Sequence, residues 1–158
     1  MMKQMEFKGV EIDRQATAAL TKYFLKYEVD HYRRVAGVIK IDLSSPTLGV
    51  ASSHSGSNSS EKSMMRAFQK MEYAQNVLRA VGLAYRSCDM TSQIILKYSC
   101  FENYSDIQLL QKVPYQSRSI TKLKQRAFCQ FAEAMIPAKV KFNCEGLHDL
   151  LIEKKSAD

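Results

Sequence analysis

Residues 105–135 read SDIQLLQKVPYQSRSITKLKQRAFCQFAEAM, and the way this stretch divides decides the fold. Ser105 is suited to cap a short helix from Asp106 to Lys112, because its hydroxyl can accept from the unpaired amides of the first turn. Ile107 and Leu110 would face inward. Val113 to Gln116 then forms a turn around Pro114, and a longer helix runs from about Ser117 to Met135. In this second helix Ile120, Leu123, Ala127, Phe131 and Ala134 recur at steps of three and four, which is one continuous inward stripe. A short helix, a tight turn and a second helix packed back on the first meet the specification of a helix-turn-helix. Tyr115 is placed to fill the space between the two helices.

The outward face of the second helix carries Gln116, Ser117, Arg118, Ser119, Thr121, Lys122, Lys124, Gln125 and Arg126. These side chains match what DNA offers: Arg suits guanine, Gln suits adenine, hydroxyls suit either, and Lys suits phosphate. N-terminal residues of a recognition helix reach bases, so residues 116–119, Thr121 and Lys122 are the candidate groove residues. Lys124 and Arg126 are the candidate phosphate contacts. The chain has a net charge of +7, and residues 113–136 hold four of its basic groups against one acidic group. A local cationic excess favours double-stranded DNA, since each phosphate neutralised releases a counterion. The competing reading of the same residues is the solvated face of a small helical bundle.

Outward from this unit, the whole chain reads as all-α. Asp13 is placed to cap a long N-terminal helix reaching Lys40, with Leu20, Tyr23, Phe24, Tyr27, His31, Val35, Val38 and Ile39 as its apolar stripe. Its other face carries Lys22, Lys26, Asp30, Arg33 and Arg34. The run SSPTLGVASSHSGSNSS at 44–60 cannot bury enough to offset its ordering entropy, which predicts a flexible Ser-rich linker over 42–60. Glu61 opens a helix with Met64, Phe68, Met71, Gln75, Leu78 and Val81 on one face and Gly82 near its end. Asp89 caps a further helix over Met90–Tyr98, with Ile94, Ile95 and Tyr98 inward. The expected organisation is an N-terminal helical region at 1–41, the linker, a DNA-binding domain at 61–136 and a small C-terminal tail at 137–158. That tail is expected to hold a short strand at Lys139–Phe142 and a short helix around Glu145–Glu153.

Other function classes leave little trace. Cys88, Cys100, Cys129 and Cys144 form no CxxC pair, so they read as buried free thiols in a reducing compartment. His31, His54 and His148 have no neighbours that would make a nucleophile, base or metal motif. Neither GxxxxGK[ST] nor GxGxxG occurs. The expectation is a non-enzyme with no cofactor and no metal. No run of 18 apolar residues occurs, so a cytoplasmic protein without a membrane partner is expected.

Residues 13–136 resemble the ArpU family, the autolysin-regulator-like transcriptional regulators of Gram-positive bacteria and their prophages. The resemblance rests on LTKYFLKYEVDHYRRVAGV at 20–38, the Ser-rich break after it, and ILKYSCFENYSDIQLLQKVPYQSRSITKLKQRAFCQFAEAM at 95–135. The family's final helix carries an Ala-hydrophobic-x-x-Phe-Ala pattern, matched by Ala127 to Ala132. Where the family's turn has Gly-Tyr-Ser, this chain has Pro114-Tyr115-Gln116, which moves the expected helix start to Ser117. The resemblance implies a domain like sigma-factor region 4 and sequence-specific binding to promoters of late or lysis-related phage genes. RNA polymerase, and a second copy joined through the N-terminal helix, are the expected further partners. A small-terminase-like DNA-packaging subunit and a helical protein-interaction module are the alternative functions.

Overall fold

The computed structural model describes residues 11–41, 43, 61–113 and 119–154. The linker expectation falls almost wholly outside these residues, as do Pro114–Arg118. Among the described residues the helices are, in order, α1 (Arg14–Tyr23), α2 (Val29–Ala36), α3 (Glu61–Ser87), α4 (Met90–Leu96), α5 (Asp106–Leu110) and α6 (Ile120–Lys141). A π turn at Phe24–Glu28 joins α1 to α2, and another at Lys97–Phe101 extends α4. Among the described residues there is no strand beyond a single antiparallel bridge between Ile12 and Glu153, so the described chain is all-α.

Local rules start these helices where the sequence indicates. The Asp13 carboxylate accepts from the Ala16 amide at 3.0 Å, and Asp89 accepts from the Ser92 amide at 2.8 Å. Ser105 and Gln108 form a reciprocal capping box on α5. The first helix stops at Ala36 rather than Lys40, because Gly37 adopts φ +75° and turns the chain back. The Gly37 amide then reaches the Arg34 carbonyl and the Val38 amide reaches the Arg33 carbonyl, satisfying groups the helix end leaves open.

The buried face of this first arm differs from the expected stripe. Thr17, Thr21, Phe24, Leu25, Val29 and Ala36 are buried. Tyr23, Tyr27, His31, Val35 and Ile39 are exposed, Ile39 by 94%. The wide π turn accounts for the change. One extra residue per turn resets the angular drift of an α-helix, bringing Val29 and Ala36 back in line with Thr17 and Phe24. The arm packs inside the same core as the later helices, α1 against α6 and α2 against α3.

Helix α3 is the central rod and runs through Gly82 to Ser87. From Ala74 onward it is buried on several sides by Val77, Leu78, Ala80, Val81 and Ala84, whereas residues 61–70 are all exposed. Met64 and Phe68, expected on the inner face, therefore lie on the exposed part. In α5 Leu109 is fully buried and Ile107 is 77% exposed, the reverse of the expected role for Ile107.

Helix α6 continues through Pro137 to Lys141, so the strand expected at Lys139–Phe142 is helix up to Lys141. Burial of Met135 and Ala138 against the core outweighs the hydrogen bond that Pro137 cannot donate. Asn143, at φ 55°, closes this helix in the same way as Gly37 closes α2, with Cys144 donating to the Lys139 carbonyl at 2.9 Å. The helix expected at Glu145–Glu153 is absent, because other groups take the backbone atoms it would use. The Leu147 carbonyl accepts from the buried Lys139 ammonium at 2.8 Å, and the Ile152 amide donates to Thr17 Oγ1 at 3.0 Å. The tail thereby returns to the start of α1, where Asp13 donates to the Ile152 carbonyl and Lys154 to the Glu11 carbonyl.

Candidate nucleic-acid interface

The inner stripe of α6 is anchored where expected. Ile120, Ala127 and Phe131 are buried, Leu123 and Ala134 are half-buried, and Phe128, Ala132 and Met135 add to the same contact. With that stripe held against α1, α3 and α4, the direction of the opposite face is set. Of the nine predicted site residues, Gln116, Ser117 and Arg118 lie outside the described residues. Ser119 precedes the helix at φ −92° and ψ −10° and makes no side-chain cap. Thr121 and Lys122 are exposed, and Gln125 is half-buried.

Two of the predicted phosphate contacts have partners within the chain. The Lys124 ammonium pairs with the Asp106 carboxylate at the start of α5. Arg126 pairs with Asp89 Oδ2 at 3.0 Å, and Gln130 Nε2 donates to the same oxygen at 2.6 Å. Burial alone would raise the Asp89 carboxyl, but hydrogen bonds from Gln130 and Ser92 and the Arg126 charge hold it below the ordinary carboxylate range. Asp89 thus caps α4 and orients α6 at once. Ion pairs as exposed as Arg126–Asp89 contribute about 0–1 kcal/mol, so a phosphate can compete for the arginine.

The fold adds cations that the linear pattern did not associate with α6. Burial pushes the Cys100 thiol up to about 11, while the charges of Lys26, Lys22 and Lys124 act in the opposite direction. Those three lysines sit on α1, its π turn and α6, and the charge of each reaches one buried thiol. Lys97 and Lys112 lie 5.4 and 5.1 Å from the centre of the Tyr98 ring. No sequence signal links Lys22 to Lys124, because only the packing of α1 on α6 brings them together.

Other chemistry is sparse in the described residues. Burial raises all four thiols, Cys88 to about 12, so they remain protonated and inert near neutral pH. No group of three or more His, Cys, Asp or Glu among the described residues could hold a metal ion. His148 Nε2 lies 2.9 Å from Glu28 Oε2, and its ring meets Phe24 edge-on, which places it as a tail-to-helix contact. No described helix is long and apolar enough to cross a membrane. Comparison of the chain with protein-family models, with curated proteins and with solved structures returns no match.

Proposed function

We propose that this chain is a sequence-specific DNA-binding regulator that presents the first turns of α6 to the major groove, with α5 as the preceding helix of the unit. The observation that carries this reading is the exposed pair Thr121 and Lys122 on a helix whose opposite stripe is locked in the core. Thr121 then faces solvent as a base-reading group, with Gln125 at its edge. Lys122, expected in the groove, takes the phosphate role because Lys124 and Arg126 are paired with carboxylates. Residues 111–119 separate α5 from α6, a longer connection than the three or four residues of a compact helix-turn-helix. Asp106–Lys124 bridges that connection and supports a fixed relation between the two helices. The resemblance to ArpU regulators adds the class of target, promoters of late or lysis-related phage genes.

The test is a gel-shift titration of promoter fragments at several salt concentrations. Lys122→Ala should weaken all sequences alike and flatten the salt dependence by about one unit of slope, as expected for one lost phosphate contact. Thr121→Ala should instead narrow the preference for one sequence over others. Binding unaltered by either substitution would remove the α6 face from the interface.

A further inference from the structure

A deep cleft among the described residues is not lined by any residue of α6. It measures about 1070 Å³ and opens between the first arm and the π turn after α4, just above the usual size range of small-molecule sites. Five cationic side chains line it, Lys26, Arg33, Lys40, Arg86 and Lys97, against two carboxylates, Asp30 and Glu102. Its floor is apolar, built from Leu25, Val29, Tyr85 and Phe101.

The cations fall into two groups. Arg33 is engaged by Asp30 at 2.9 Å and by the carbonyls of Val38 and Ile39, so it shapes the wall. Arg86 donates to the Leu43 carbonyl at 3.2 Å and is likewise part of the frame. Lys40 stands 3.9 Å from Glu102, at the limit of an ion pair. Lys26 and Lys97 have no carboxylate within ion-pairing distance among the described residues. A cationic excess around an apolar floor focuses the field into the cleft and raises the local concentration of anions.

We propose that this cleft binds a small organic phosphate, with the phosphate on Lys26 and Lys97 and a flat apolar body on the Tyr85–Phe101 floor. A neutral ligand leaves the two ammoniums unused, and a bare inorganic anion leaves the floor uncovered. Duplex DNA carries its phosphates on a convex surface and does not enter a concave site. Thr121 and Lys122 do not line the cleft, but Lys26 belongs both to it and to the cations near α6. Lys97→Ala alone, which spares those cations, therefore separates this assignment from the DNA-binding reading.

The experiment is calorimetric titration of the full chain with ADP, pyrophosphate and adenosine in phosphate-free buffer. ADP should saturate a single site, pyrophosphate should displace it, and adenosine should bind at least about tenfold more weakly, as the loss of charge-assisted hydrogen bonds requires. The Lys26→Ala/Lys97→Ala double variant should lose at least about tenfold in ADP affinity. Lys141→Ala, an exposed cation away from the cleft, should bind as the parent does. Circular dichroism checks that the double variant is folded, and Lys97→Ala alone repeats the test if it is not. Absence of saturable heat with ADP and pyrophosphate up to about 1 mM overturns the proposal. Equal affinity of parent and double variant overturns it as well. A chain that binds ADP but no DNA keeps this proposal and ends the previous one.

Discussion

The two halves of α6 obey the same helical geometry and are used differently. The first half, from Ile120 to Arg126, offers an exposed polar face, and two of its cations are held by single carboxylates on α5 and before α4. The second half is built into the molecule: Phe131 is fully buried, Met135 and Ala138 join it, and the tail covers Lys139. One half therefore serves as an anchor and the other as a presented surface. A binding helix needs both, because an unanchored face would lose its orientation to rotation and fraying.

Substitutions that break this comparison differ widely in expected size. Phe131→Ala strikes the anchor, where the ring is fully buried and lies 6.4 Å from the Phe24 ring. It should cost about 3–5 kcal/mol in urea unfolding, and a loss under 1 kcal/mol would mean that the anchor lies elsewhere. Lys139→Ala removes the ammonium from the Leu147 carbonyl and Asp149, leaving a buried acceptor without its donor. That change should cost about 1–3 kcal/mol and make the tail more readily cleaved in limited proteolysis.

The smallest effect concerns Asp89, at the junction of the two halves. Its folded carboxyl titrates below the ordinary value, despite the upward pull of burial, through Gln130, Ser92 and Arg126. A depressed folded value contributes stability that is complete above about pH 3.9 and is lost as pH falls through the folded value. Asp89→Asn keeps the cap on α4 but removes this titration, so its urea midpoint should fall less steeply with acid than the parent's. At neutral pH the cost should stay within about 1 kcal/mol. Equal acid sensitivity in parent and variant would show that Asp89 is not coupled to folding in this way.

What the sequence discloses and what it hides follow from the range of the forces involved. Helix starts at Asp13, Asp89 and Ser105 are legible because a cap acts within three residues. The α6 stripe is legible because Ile120, Ala127 and Phe131 repeat at the helical period. The face of the first arm is not, since the one extra residue of a π turn rotates the face beyond it by about 100° and no local sequence signal marks where that residue falls. Pro137 hides the last turn of α6, because the packing of Ala138 that sustains the helix involves residues distant in sequence. In the candidate site, the types of Thr121 and Lys122 are legible. Arg126–Asp89 and the nearness of Lys22 are not, because each joins segments more than thirty residues apart.

The clasp between the tail and the start of α1 also has a consequence for synthesis. Asp13 finds the Ile152 carbonyl only after nearly all the intervening chain exists, and Thr17 waits equally long for the Ile152 amide. Contacts of such long sequence separation slow folding, because loop closure precedes their reward. On the ribosome, the first helix emerges long before the segment that closes over it. The native arrangement of this helix is therefore completed late, only after the segment around Ile152 has left the exit tunnel.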